Sequence, residues 1–178
     1  MKDCELIDLA LKEGFAAAAL VDTADIPFDF SFRHYCEENL CGQYGANYSC
    51  PPDCGSCDAM RARIMARKRA ILLQTNWEIT DYTDTAAIKH AKGFHNSASL
   101  SLAQKMKAMG YPGFMVGASG CTLCDSCAVL ESLPCRFPER MFSCMSAYCI
   151  YVKKLCDQCG LEYSGSTGLL GFFGLYVF

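Results

Sequence analysis

The second of two cysteine-rich segments, residues 121–135, has the spacing that an iron–sulfur cluster requires. Cys121, Cys124 and Cys127 form a CxxCxxC run, and Cys135 follows beside a proline. Three thiolates at steps of three can each reach a different iron of one cubane, and a more distant cysteine can bind the fourth iron. Structural zinc sites use two separated pairs of ligands instead. These four cysteines therefore predict a [4Fe–4S] cluster, with zinc as the alternative metal.

The first cysteine-rich segment, residues 34–57, is less regular. Cys36 and Cys41 are followed by Cys50, which precedes two prolines that fix the backbone as it leaves a ligand. These three cysteines predict a second metal site. The candidates for its fourth ligand are Cys54, Cys57 and His34. If three cysteines alone bind, one metal position stays open, as in catalytic zinc sites, and this group becomes the catalytic candidate. The alternative is a completed cluster that holds the loop together.

The composition favours metal ligands over disulfides. Cysteine accounts for 14 of 178 residues, yet the N-terminus has Asp3 and Glu5 where a signal peptide needs an apolar run. The longest apolar stretch, residues 168–178, is about half of the roughly 20 residues that a membrane span needs. We therefore expect a cytoplasmic protein with no membrane partner, whose thiols are kept reduced and available to metals.

The charge balance gives no sign of nucleic-acid binding. The 16 basic and 19 acidic residues give a net charge of −3, so we expect no nucleic-acid partner. Hydrophobic residues make up 52% of the chain and charged residues 20%, which excludes a disordered chain. The chain contains neither a GxGxxG nor a Walker A loop.

Two further features each have an ordinary and a functional interpretation. The ordinary interpretation of the basic segment Arg61–Arg69 is a solvated helix face. The functional interpretation is a docking patch for an acidic redox partner such as ferredoxin or flavodoxin. Cys156 and Cys159 form a CxxC, whose default interpretation is small core side chains. The alternatives are a redox pair or a third metal site. His90 and His95 are five apart on one helix, point away from each other and do not form a metal pair.

Both cysteine segments resemble the predicted metal-binding protein family, domain of unknown function 2284. The family places cysteines before a Tyr-Gly pair and a Cys-Pro-Pro, matched here by Cys36, Cys41, Tyr44-Gly45 and Cys50-Pro51-Pro52. Its second half has CxxCxxC and then Pro-Cys-Arg-x-Pro-Glu, matched by Cys121, Cys124, Cys127 and residues 134–139. The resemblance implies metal binding, with iron–sulfur as the favoured form, and supplies no reaction.

The third segment of the family, Met-Glu-Ala-x-Gly-Ile-Asp-Val, is matched less well by residues 145–152. Ser146, Cys149 and Tyr151 replace the expected Glu, Gly and Asp. The cysteines without a family role are Cys54, Cys57, Cys144, Cys156 and Cys159, and the role of Cys149 stays open.

The stretches between the cysteines predict ordinary helices and strands. The predicted helices are Asp3–Glu13, Asp58–Arg67, Thr85–Met109, with an interruption considered near Gly93, and Met145–Cys159. The predicted strands are Phe15–Val21, Ala70–Gln74, Gly113–Ala118 and Leu169–Phe178. We expect a single compact α/β domain over residues 1–178, with a small sheet flanked by helices and two cysteine-rich metal-binding loops.

The favoured function is one-electron transfer by a protein with up to two [4Fe–4S] clusters, in an oxygen-poor cell. Whether the protein is an enzyme stays open at this point. One alternative is an enzyme whose first cluster has an open iron for a small substrate. The other is an interaction module that zinc stabilises without any redox role.

Overall fold

The computed structural model describes residues 3–163 and 169–178, and its centre is a five-stranded mixed sheet in the order β1-β2-β5-β3-β4. The strands are β1 Ala17–Asp22, β2 Arg69–Trp77, β3 Phe114–Gly117, β4 Ser143–Cys144 and β5 Leu170–Val177. Neighbouring strands are antiparallel except β3 and β4, which are parallel. Strand β5 lies between β2 and β3, so the end of the chain forms the middle of the sheet.

Five helices accompany this sheet in the described residues. They are α1 Asp3–Lys12, α2 Arg33–Glu37, α3 Cys57–Met65, α4 Thr85–Ala108 and α5 Val152–Cys159. Helix α4 continues through Gly93, so the interruption considered there does not occur. The arrangement confirms the predicted α/β fold class.

The side chains of β2 alternate between the two faces of the sheet, as the period of a strand requires. Ile71 and Leu73 belong to a core that α1 and α4 cover. Ala70 and Leu72 belong to a second core on the opposite face, covered by α3, α5 and residues 145–150. Helices on both faces bury the sheet, and Cys54 and Cys144 pack against the second core.

The predicted helix over residues 145–159 is wrong in its first half, because it begins only at Val152. Cys149 has a φ of +55°, a left-handed conformation that an α-helix cannot contain. The Tyr151 N–H donates to the Pro27 carbonyl at 2.9 Å, which ties this segment to a distant one. The apolar residues of this segment are buried by these long-range contacts. Their spacing along the chain is the same as that of the buried face of a helix, so it does not distinguish the two cases.

His95 is a buried core residue of α4. Its Nδ1 lies 3.0 Å from Thr75 Oγ1, and its ring packs edge-on against Phe15 with the centroids 5.3 Å apart. Its Nε2 has no hydrogen-bond partner in the described part of the chain. Burial lowers the pKa of His95 to about 3, so the ring is neutral in the folded protein at pH 7.

We expect this histidine to make the fold sensitive to acid. Its ordinary pKa is 6.5 and its folded pKa about 3, so between these values the unfolded chain binds the proton and the folded chain does not. Stability is therefore lost as the pH falls through this window, by about 2 kcal/mol between pH 7 and pH 5. Urea unfolding of the wild type and of His95→Asn, at both pH values and equal metal content, measures the difference.

The matched control is His90→Asn, because His90 is exposed on the same helix. This variant should lose as much stability on acidification as the wild type does, whereas His95→Asn should lose less. Equal losses in all three proteins would contradict the expectation.

Candidate functional site

The four cysteines of the second group surround one cavity. Cys121, Cys124 and Cys127 line it together with Cys135, and Tyr48 from the first group's segment completes one side. Each of the four cysteines is partly buried. The structure thus brings together the residues that spacing selects as one ligand set. Their role as ligands stays a prediction.

Three consecutive residues of the first group's segment hold the second loop in place. Ser49 Oγ accepts the N–H of Cys121 at 2.8 Å, and Asn47 Nδ2 donates to the Cys121 carbonyl at 3.0 Å. The backbone N–H of Tyr48 donates to Cys127 Sγ at 3.5 Å. Hydrogen bonds to ligand sulfurs are among the features that set the potential of a cluster. These hydrogen bonds hold the segment of the first cysteine group in direct contact with the loop of the second.

Arg136 brings a positive charge to the second group. Its side chain lines the cavity, and its Nη1 donates to the Ser126 carbonyl at 2.9 Å. It also forms an exposed ion pair with Glu131 at 3.4 Å. Burial raises the pKa of the Cys121 thiol, which lines the same cavity.

The first group spans a helix and two turns. Cys36 lies in α2, Cys41 is exposed in the turn after it, and Cys50 is buried. Burial raises the pKa of Cys50 to about 12, despite the Ser49 hydroxyl beside its sulfur. A Cβ on Gly120 would lie 3.1 Å from Cys50 Sγ, so this thiol packs directly against the start of the second loop.

Cys144 is a ligand candidate that the sequence analysis leaves without a role. It ends β4, where it pairs with Gly117 of β3. The chain reaches Gly120, beside the first group, three residues after Gly117. The sulfur of Cys144 accepts backbone N–H groups of Ala147 and Ser146, although burial is the larger effect and raises its pKa. Backbone donors aimed at a buried sulfur suit a thiolate ligand.

Cys144 lies close enough to the first group for its thiolate form to act electrostatically on two of the group's thiols. It raises the pKa of Cys36 and of Cys50, in both cases as a smaller effect than burial. The charge of Cys41 in turn raises the pKa of Cys144. These four thiols form one electrostatically linked set. The sheet brings them together from distant parts of the chain, so local spacing carries no signal for Cys144.

The alternatives that the sequence analysis gives for the fourth ligand differ in their surroundings. His34 is mostly exposed and pairs with Glu38 at 3.0 Å. Cys54 accepts a hydrogen bond from Arg33 at 3.8 Å, and its charge also acts on Cys50. Cys54 is therefore the main competitor of Cys144, whereas His34 faces away into solvent.

The first group also contains a CxxxCxxC run that the sequence analysis missed, formed by Cys50, Cys54 and Cys57. Three cysteines at this short spacing are a further way to bind a cluster. The structure gives Cys57 a different neighbour, because its sulfur lies 3.6 Å from Cys149 Sγ.

The CxxC of α5 belongs to the core. Cys156 is fully buried there, and Cys159 packs against the same core, as the default interpretation predicts. Within residues 3–163 and 169–178, no three Cys, His, Asp or Glu side chains are grouped as a single metal ion requires. A cubane instead spreads its thiolate ligands over separate irons.

Comparison with known proteins gives one match. Residues 19–176 match a family described as predicted metal-binding protein (DUF2284), a range that includes both cysteine groups and Cys144. No curated protein and no solved structure matches the chain. No helix in the described ranges is long and apolar enough to cross a bilayer. The family match supports metal binding.

Proposed function

Because the chain belongs to the predicted metal-binding family DUF2284, we propose that it binds two [4Fe–4S] clusters and passes single electrons through them. The observation that carries this proposal is the cavity lined by four cysteines, packed against the segment that carries the first group. Soft thiolates are the donors that iron–sulfur clusters and zinc prefer, and three of them in one run favour the cluster. Bound clusters would supply reversible one-electron chemistry.

The residues fit two ligand sets. The second set is Cys121, Cys124, Cys127 and Cys135. The first set is Cys36, Cys41, Cys50 and Cys144, with Cys54 as the alternative fourth ligand. Both sets offer four thiols and no competing carboxylate among their assigned members, which suits a cluster rather than a hard ion.

The protein's own residues would tune and connect the two sites. The Tyr48 N–H faces the Cys127 sulfur at 3.5 Å, and Arg136 adds positive charge beside the cavity. Both favour the more negative, reduced form of a cluster and so raise its potential. The segment around Ser49 borders both groups, which gives an electron a short path between them.

A basic groove next to the second group is the proposed docking surface for an acidic electron carrier of the ferredoxin or flavodoxin type. Met141 lines both this groove and the four-cysteine cavity. The charged residues of the groove are Arg63, Arg67, Lys107, Arg140 and Glu139. Four positive charges against one negative charge attract an acidic surface and speed its association.

We expect charge reversal in this groove to slow electron transfer. Arg140→Glu should lower the rate of reduction by an acidic ferredoxin about tenfold at low salt, and the difference should shrink as salt increases. Stopped-flow absorbance measures the rate. The control is Arg61→Glu, because Arg61 contacts Phe28 and does not line the groove. Equal slowing by both variants would indicate a general charge effect rather than docking.

Metal analysis of protein purified without oxygen tests the proposed function. About eight irons and eight sulfides per chain, with visible absorbance that bleaches on reduction, are the expected result. About four irons would leave one group without a cluster. Zinc without sulfide would overturn the redox proposal and favour the zinc-stabilised interaction module.

A further inference from the structure

Two cysteines outside both proposed ligand sets, Cys57 and Cys149, are in contact with each other. Cys57 is the first residue of α3, and Cys149 lies in the tight turn between β4 and α5. Their sulfurs are 3.6 Å apart. A disulfide needs about 2.0 Å between the sulfurs, so they must approach each other by about 1.6 Å to form the bond.

A partly buried arginine, Arg33, lies beside this pair. Arg33 Nη2 donates to the Ala147 carbonyl at 2.9 Å, and Nη1 donates to the Gly55 carbonyl at 3.3 Å. Arg33 has no carboxylate partner among residues 3–163 and 169–178, and its Nε is buried without a hydrogen bond there. Its positive charge therefore faces sulfur rather than carboxylate.

The thiols act on this arginine in return. Burial alone would lower the pKa of Arg33, but a hydrogen bond to Cys149 and the charges of Cys54 and Cys57 outweigh burial and raise it. Burial raises the pKa of Cys149 to about 11, and the charge of Arg33 and its hydrogen bond to Cys149 oppose that rise. Arg33 therefore favours the Cys149 thiolate, the form in which a thiol takes part in thiol–disulfide exchange.

The two thiols differ in access. Cys57 is partly exposed at the start of α3, whereas Cys149 is fully buried. An external reagent can therefore reach Cys57 first. Cys149 can then react only with the sulfur that it already touches.

We propose that Cys57 and Cys149 form a reversible disulfide by exchange with a low-molecular-weight disulfide of the glutathione type. The Cys57 thiolate attacks one sulfur of that disulfide, the S–S bond breaks, and one thiol leaves. The Cys149 thiolate then attacks Cys57 Sγ in the mixed disulfide and releases the second thiol. Two protein thiols are oxidised, one external disulfide is reduced to two thiols, and the two protons lost by the protein are taken up by the leaving groups.

This bond would join α3 to the turn that follows Cys144. The oxidation state of the pair would thereby be coupled to the first cysteine group through the backbone of residues 144–149. The inference does not depend on which metal the protein binds.

The test uses the anaerobically purified holoprotein and oxidised glutathione. After quenching by alkylation and digestion, mass spectrometry should detect a peptide pair joined through Cys57 and Cys149, which dithiothreitol removes. Cys149→Ser should lose this cross-link completely and retain glutathione on Cys57. Cys57→Ser should lose both the cross-link and any adduct at Cys149.

Two measurements keep the result decisive. Both variants should keep the iron and sulfide content of the wild type, and Cys156→Ser, a core cysteine outside the pair, should form the cross-link normally. A stable glutathione adduct at Cys57 of the wild type without the cross-link would overturn the proposal. Loss of iron in Cys57→Ser would also overturn it, because Cys57 would then be a cluster ligand.

Discussion

Replacement of Cys124 by serine should remove one whole cluster, about four irons and four sulfides per chain, and leave the other. Cys124 is the middle member of the CxxCxxC run and lines the cavity of the second group. A hydroxyl is a harder and poorer ligand for a cluster iron than a thiolate. Iron and sulfide assays on protein purified without oxygen should show about half of the wild-type content, with visible absorbance reduced in proportion.

The matched control is Cys4→Ser, because Cys4 is an exposed cysteine of α1 that belongs to neither group. It should retain the full metal content. Cys124→Ser protein with wild-type iron, sulfide and spectrum would show that the four-cysteine cavity is not a cluster site. Equal losses in both variants would indicate a general effect of thiol removal.

The sequence predicts the central elements of the fold because their patterns are local. Residues 70–73 are continuously apolar, since helices cover both faces of the sheet, and the run is correctly identified as a buried strand. Asp84 caps the start of helix α4, because its side chain accepts the N–H of Ala87. The helix ends before Gly110, as expected. In these elements, local propensity and tertiary packing favour the same structure.

The sequence fails where distant contacts decide the backbone. Residues 145–150 have the apolar spacing of a helix, but Ile150 forms a bridge with Phe28, and Cys149 takes a left-handed conformation. The bridge joins residues more than a hundred positions apart, and so does the hydrogen bond from the Asp29 N–H to the Cys149 carbonyl at 2.8 Å. A pattern within a short window carries no information about them.

In the candidate site, too, local spacing predicts some features, and others depend on contacts between distant parts of the chain. The second group could be assembled from spacing, because its four cysteines lie within one loop and the structure gathers them around one cavity. The contact between the two groups and the place of Cys144 beside the first were not predictable. They arise because β4 pairs with β3 next to the loop that carries Gly120. Sequence spacing thus identifies ligands that lie close along the chain, and the sheet supplies the distant one.

Cys144→Ser should remove the cluster of the first group and leave that of the second. The charge of Cys144 acts on Cys36 and Cys50, and its sulfur accepts backbone N–H groups that are fixed by the following turn. Without its fourth thiolate, the first cluster should be lost during purification. Iron and sulfide should fall by about four each. Electron paramagnetic resonance of the reduced protein should show one cluster signal instead of two interacting ones.

Cys54→Ser is the comparison that decides the ligand, because Cys54 is also linked to the first group but contacts Arg33 and Met60. It should keep about eight irons if Cys144 is the fourth ligand. The opposite result, with iron lost in Cys54→Ser and kept in Cys144→Ser, would assign that position to Cys54. If both variants keep their iron, and Cys57→Ser and His34→Ala keep it as well, the first cluster is held by three cysteines and has an open iron. That outcome would favour the enzyme over the electron carrier, and substrate-dependent changes in the resonance of that cluster would then identify the small molecule it binds.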